Sequence, residues 1–86
     1  MKRLEEYCDQ LSAKANDAVL FLNLKSELAF IEDAPDIISA EGRYHSFRRD
    51  IFGLARYGYL TLYDLNILYD YASDLLMETI RRFDNG

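Results

Sequence analysis

The chain has 86 residues and a net charge of −5, and half of its residues are hydrophobic. This hydrophobic content excludes an intrinsically disordered chain, and the negative charge argues against a protein that binds nucleic acid over its whole surface. One proline and four glycines are too few for the turns of an all-β chain of this length, so helices are expected.

The first predicted helix covers about residues 2–32, where apolar residues recur at helical spacing. One stripe contains Leu4, Cys8, Leu11, Ala15, Ala18 and Leu22. A second stripe, displaced around the helix, contains Phe21, Leu24, Leu28 and Ile31. The change of stripe leaves two interpretations, one long helix or a break near residues 23–26. We favour one helix, because no glycine or proline occurs before Pro35.

The second predicted helix covers about residues 34–57. Its apolar residues alternate at steps of three and four, as in a helix packed against other helices; they are Ile37, Ala40, Tyr44, Phe47, Ile51 and Leu54. Asp33 is the expected N-cap, with Pro35 in the first turn. Gly42 lies inside this range, so a kink or a later start at that residue remains open.

The third predicted helix covers about residues 62–83, and its start carries the clearest local signal. Thr61 and Asp64 have the spacing of a capping box, and Leu60 and Leu65 have that of a hydrophobic staple. Gly58 can end the preceding helix in a left-handed conformation. The core side of the helix is expected to carry Leu65, Leu68, Ala72, Leu76 and Phe83.

These elements predict a single all-α domain, a three-helix up-down-up bundle with a long first helix. A first helix of some thirty residues would be about 45 Å long, against about 33 to 36 Å for the other two. About 10 Å of apolar helix would therefore overhang. Because an exposed apolar segment favours a partner, we expect a homodimer.

Catalytic and metal-binding patterns are weak. His45 is the only histidine, and Glu41 one turn before it is the only acid suitably placed to share an ion with it. Cys8 lies on the apolar stripe, where a small core residue is the expected role. Asp70, Asp74 and Glu78 are more typical of a solvated face than of a cation site. We therefore expect a protein that is not an enzyme and that needs no metal or cofactor.

The third helix also suggests a binding surface. Tyr63, Ile67 and Tyr71 are successive i, i+4 neighbours, placed by the expected phase of the helix on its outer side. Asp70, Asp74 and Glu78 would border this ridge. Tyrosine is enriched at the energetic centres of protein interfaces. The other interpretation is that a wider bundle or a dimer buries the ridge.

The second helix suggests an alternative. His45, Arg49, Phe52 and Arg56 align on its outer side, where arginines around an aromatic ring could follow a nucleic-acid backbone. Pairing of these arginines with acids of the neighbouring helices is the competing interpretation. The alternative function is thus a dimeric nucleic-acid-binding regulator.

The leading hypothesis is a non-enzymatic protein–protein interaction module, an acidic inhibitor or regulator of a larger protein that handles nucleic acid and has a basic surface. The single cysteine favours a reducing compartment, so we expect a cytoplasmic protein. The longest apolar run, residues 18–22, is too short for a signal sequence or a membrane span.

Overall fold

A computed structural model describes residues 11, 12, 15 and 17–84 of the chain. This part contains three helices, which are named α1 (Ala18–Glu32), α2 (Ile37–Arg56) and α3 (Leu62–Asp84), and no strand. Each helix packs against the other two. The predicted all-α class is therefore confirmed for the described part of the chain.

Helix α1 begins at Ala18, because the Asp17 side chain caps its first turn. One carboxylate oxygen of Asp17 accepts hydrogen bonds from the N–H groups of Val19 (3.1 Å) and Leu20 (3.2 Å). The described residues before the cap are not helical. The prediction of one helix over residues 2–32 is therefore wrong, and so is the alternative break near residues 23–26, where α1 is continuous.

Because α1 is shorter than predicted, its length no longer indicates an apolar overhang beyond the other helices. Its 15 residues correspond to about 22 Å, which is shorter than α2 or α3. Residues 1–10, including Cys8, lie outside the described residues. Dimerisation stays a prediction, but the length of the first helix no longer supports it.

Helix α2 begins one residue after its cap, Asp36, whose side chain accepts a hydrogen bond from the Ser39 N–H (2.7 Å). Asp33 was the expected cap, but it lies at the C-terminal end of α1 instead. The difference arises because α1 continues to Glu32, which leaves only four residues to connect the two helices. The helix passes through Gly42 without interruption.

The predicted capping box is present at the start of α3. The Thr61 N–H donates to the Asp64 carboxylate (2.9 Å), and the Asp64 N–H donates to the Thr61 hydroxyl (3.0 Å). Gly58 has a φ of 84°, the left-handed value expected for the residue that ends α2. At the end of α2, the Gly58 N–H donates to the Ala55 carbonyl (3.1 Å), so hydrogen bonds fix the turn at both ends.

The core lies between the three helices and also takes in two described residues that precede α1, Leu11 and Ala15. Its largest fully buried apolar side chains are Phe47, Leu24, Ile31, Ile51 and Leu68. Both predicted staple residues, Leu60 and Leu65, are buried in the same cluster. No helix in the described part of the chain is both long and apolar enough to cross a membrane.

Candidate protein-binding surface

The predicted ridge on the third helix does not form one exposed surface. Tyr63 is 61% exposed, but Ile67 and Tyr71 are only 7% and 8% exposed and belong to the hydrophobic core. The prediction that all three side chains face outward is therefore wrong. Ile67 and Tyr71 cannot form the centre of a contact surface while the fold is intact.

Ile67 and Tyr71 are buried because α3 is in contact with more than the other two helices. Besides α1 and α2, the segment before α1 reaches α3, where the Ser12 N–H donates to the Asp64 carboxylate at 2.6 Å. Ile67 and Tyr71 lie one and two turns after Asp64, on the same side of α3. Leu11 and Ala15 join them in one core cluster. The prediction of one continuous first helix did not include this contact, because it assigned Leu11, Ser12 and Ala15 to that helix.

The predicted acidic border lies partly in solvent. Asp70 and Asp74 are exposed, whereas Glu78 is half-buried and forms an ion pair with Arg81 (3.4 Å). The two aspartates follow Tyr63 along the exposed side of α3. They therefore lie beside a surface that differs from the predicted ridge.

Three exposed tyrosines lie at the turn between α2 and α3 and at the start of α3. We call Tyr57, Tyr59 and Tyr63 the tyrosine corner. Tyr57 is 83% exposed, and the other two rings are also mostly in solvent. The turn is fixed because the Tyr59 N–H donates to the Leu54 carbonyl (2.9 Å) and because Leu60 is buried.

A surface cavity of about 620 Å³ lies beside the tyrosine corner. It separates Tyr59 from the start of α1, and Val19, Leu20 and Leu54 supply its apolar walls. Val19 is itself exposed. An apolar side chain of another protein could therefore insert between the corner and α1.

The predicted basic surface of α2 is present as an exposed face, since His45, Arg49, Phe52 and Arg56 are all exposed. Among the described residues, the one ion pair is that of Arg81 with Glu78. Arg49 and Arg56 thus do not pair with acids of α1 or α3, which was the competing interpretation for these arginines.

Two other arginines of α2 bind aromatic residues rather than acids. Arg43 donates to the Phe30 carbonyl (2.7 Å) and stacks on the Phe30 ring, with its guanidinium carbon 3.6 Å from the ring centroid. Arg48 lies over Tyr44 and Tyr69. These cation–π contacts connect α2 to both of its neighbours.

One feature that sequence reasoning missed is the carboxyl pair of Glu27 and Asp50, between α1 and α2. Burial, a hydrogen bond with Asp50 and the negative charge of Asp50 together raise the pKa of Glu27 to about 7. Cavities of about 440 and 590 Å³ lie on the two sides of the pair. The two residues are far apart in the sequence, and no local pattern signals their contact.

Within the described part, no three His, Cys, Asp or Glu side chains gather in a way that could hold a metal ion. Comparisons of the chain with known protein families, with curated proteins and with solved structures found no match.

Proposed function

We propose that this chain is a non-enzymatic interaction module that binds a protein partner through the tyrosine corner. The observation that carries the proposal is the exposure of Tyr57, Tyr59 and Tyr63 within seven consecutive residues. An exposed tyrosine has a large apolar ring and a hydroxyl group that can form a hydrogen bond. Both suit a protein contact from which water is excluded.

The hydrogen bonds of the turn strengthen the proposal. Binding is weakened when loops and side chains must be ordered at the interface. Here the turn is already ordered by the Thr61–Asp64 capping box and by the left-handed Gly58. The backbone that carries the rings would therefore lose little entropy when a partner binds.

The charge of the chain favours a basic partner. A net charge of −5 speeds encounter with a positively charged protein and disfavours acidic ones. An acidic protein of this size suits the role of a regulator or inhibitor that occupies the basic surface of a larger nucleic-acid-handling protein.

Site-specific photo-crosslinking tests this proposal. A photoreactive phenylalanine analogue at Tyr59 should form a covalent adduct with one predominant protein in the native host. Ile38, which is also exposed, provides the matched control, because it lies about 28 Å along α2 from Tyr57. Equal adducts from both positions, or none from Tyr59, would show that the corner is not a specific binding surface.

A second candidate function, nucleic-acid binding by α2, is favoured by the exposure of Arg49 and Arg56 without an ion pair in the described part. Phe52 between them could stack on a base. The net negative charge of the chain opposes this candidate.

Salt-dependent binding of a fluorescent oligonucleotide decides this second candidate. If α2 binds nucleic acid, raising the salt from 50 to 200 mM should weaken binding steeply, and Arg49→Ala with Arg56→Ala should reduce that salt dependence. An absence of binding at 50 mM salt would exclude the candidate.

A further inference from the structure

A continuous groove runs between α1 and α2, from the tyrosine corner toward the start of α2. The cavity beside the corner and the cavity of about 590 Å³ share Leu20, Asn23 and Leu54 in their walls. The latter shares Glu27 and Asp50 with the cavity of about 440 Å³. Because neighbouring cavities share walls, the three form one surface feature, which we call the α1–α2 groove.

The α2 wall of the groove is built mainly of small residues. Ser39, Gly42 and Ser46 line the far end, and Gly53 lines the middle. A Cβ atom added at either glycine would meet no atom within 4 Å. The backbone of a bound segment can therefore approach this part of α2 closely.

The groove changes from apolar to acidic along its length. Next to the tyrosine corner its apolar walls are Val19, Leu20 and Leu54. Its middle carries the carboxyl pair, of which Glu27 is half-buried and Asp50 is exposed. Glu27 follows Leu20 by seven residues, which is about 10 Å along α1. A complementary occupant has an apolar group and a cationic group about 10 Å apart.

The basic residues of the groove leave the carboxyl pair without a cation. Arg43 already stacks on the Phe30 ring and donates to the Phe30 carbonyl. Arg49 directly precedes Asp50, and adjacent helical residues point about 100° apart. Within the described part, neither arginine forms an ion pair with the carboxyl pair. Asp17 adds a third acid at the corner end.

We propose that a segment of the protein partner binds in the α1–α2 groove, with an apolar side chain beside the tyrosine corner and a basic side chain on Glu27 and Asp50. An arginine suits this position, because its guanidinium can donate to both carboxyl groups at once. The inference rests on the proposed function, since it treats the groove as a continuation of the tyrosine corner. It adds the chemistry by which the partner is recognised.

Binding of a cation at the carboxyl pair is coupled to loss of a proton. Burial, a hydrogen bond with Asp50 and the charge of Asp50 raise the pKa of Glu27 to about 7. The charged groups that border Glu27 are Asp50, Arg43 and Arg49, all on α2, and no described residue of α3 lines the two cavities beside it. A bound cation takes the place of the proton, so it binds more tightly at pH 8 than at pH 6.

A pair of short peptides tests the groove on the full chain. Acetyl-Leu-Ala-Ala-Arg-amide, when extended, places an apolar and a cationic side chain about 10 Å apart, and the same peptide with glutamine in place of arginine is the neutral control. In an NMR titration at millimolar peptide and pH 8, the amide signals of Asn23 and Gly53 should shift and saturate. The signal of Met77, on the outer side of α3, should not move.

The affinities should depend on the charge of the peptide and on pH. At pH 8 the arginine peptide should bind about threefold or more tightly than the glutamine peptide, as solvent screens the contact. At pH 6 the arginine peptide should bind about threefold or more weakly than at pH 8, whereas the glutamine peptide should be unaffected.

Three variants locate the contact. Glu27→Gln should remove both the preference for arginine and the pH dependence. Glu41→Gln, at an exposed residue of α2 that does not line the groove, is the matched control and should keep both. Gly53→Leu fills the open space in the middle of the groove and should weaken the binding of both peptides.

Equal affinities for the two peptides, equal affinities at pH 6 and pH 8, a preference that persists in Glu27→Gln, or no saturable shift at Asn23 and Gly53 would each overturn the inference. Photo-crosslinking at Tyr59 reports on the corner independently. A specific adduct at Tyr59 without a preference for the arginine peptide refutes the basic-residue site alone, and loss of that adduct refutes the corner.

Discussion

Ser12 binds Asp64 through two groups, since its backbone N–H and its hydroxyl donate to different oxygens of the carboxylate, at 2.6 and 2.5 Å. The same carboxylate accepts the Thr61 N–H and is fully buried. One side chain therefore caps α3 and attaches the segment before α1 to it. Burial alone would raise the pKa of Asp64, but the hydrogen bonds from Ser12 and Thr61 outweigh it and lower the pKa.

We predict that Asp64→Ala destabilises the fold by about 2 to 3 kcal/mol at neutral pH, because it removes the cap of α3 and the two hydrogen bonds that attach Ser12 to this helix. Since the pKa of Asp64 is lowered on folding, its contribution is present above the unfolded-state pKa near 4 and is lost as the pH falls through the folded-state pKa. Urea unfolding at pH 7 and at acid pH measures both effects.

Asp70→Ala is the matched control for this prediction, because Asp70 is an exposed aspartate of the same helix. It should change stability by no more than about 0.5 kcal/mol at either pH. Equal losses for the two variants at pH 7 would mean that the Asp64 hydrogen bonds add nothing to stability.

The burial of Ile67 leads to a second prediction. Ile67→Asp should destabilise the fold by about 3 kcal/mol or more, because the charge would lie in the core without a partner. Asn66→Asp places the same side chain on the exposed neighbouring residue and should cost less than about 0.5 kcal/mol. Thermal unfolding of both variants checks this, and similar melting temperatures would contradict the burial of Ile67.

Local signals in the sequence predicted the end of α2 and the start of α3 well. The capping box of Thr61 and Asp64, the left-handed Gly58 and the buried Leu60 and Leu65 depend on residues close together in the sequence. Such features follow from hydrogen bonds and apolar contacts between residues that are close together in the chain. They are independent of how the helices pack, so a sequence pattern is enough to predict them.

The burial of Ile67 and Tyr71 depends on helix packing, which the sequence pattern does not specify. Helical periodicity identifies an apolar stripe but not how wide a stripe the neighbouring elements will cover. Ile67 and Tyr71 share their core cluster with Leu11 and Ala15, which precede the cap of α1 at Asp17. The sequence signal for the cap of α1 was an aspartate, Asp17, directly before the apolar run of residues 18–22.

A third prediction compares two glycines. Gly58→Ala should destabilise the fold by about 1 kcal/mol, because φ is 84° and a Cβ atom makes this conformation unfavourable. Gly42→Ala should stabilise it by about 0.5 to 1 kcal/mol, since the residue is helical and an added Cβ would meet no atom within 4 Å. Urea unfolding measures both, and changes of the same sign would contradict the prediction.

The last prediction concerns Glu27, whose pKa is raised from 4.5 to about 7 by burial and by Asp50. A carboxyl group with a raised pKa in the folded state binds its proton more tightly there than in the unfolded chain. Its stabilising effect is therefore fully present below about pH 4.5 and is lost as the pH rises through 7. Above that pH, the fold holds two neighbouring negative charges at the boundary of α1 and α2.

Glu27→Gln keeps the shape and the hydrogen-bonding capacity of the protonated side chain without its charge. We expect this variant to match the unchanged chain near pH 4.5 and to be more stable at pH 8. Because Glu27 is only half-buried and Asp50 is exposed, solvent screens the pair, and the gain at pH 8 should be only about 1 kcal/mol. Urea unfolding from pH 4.5 to 8 gives the difference directly, since contributions from other residues cancel between the two proteins.

Two further variants identify the cause of the gain. Asp50→Asn should reproduce only part of the stabilisation at pH 8, because it removes the negative neighbour of Glu27 but not the burial, which is the larger cause of the raised pKa. Glu41→Gln, at an exposed residue of α2, should show a flat difference from the unchanged chain across the same pH range. If Glu27→Gln gives a flat difference as well, Glu27 loses its proton at an ordinary pH and the two carboxyl groups are not close enough to interact.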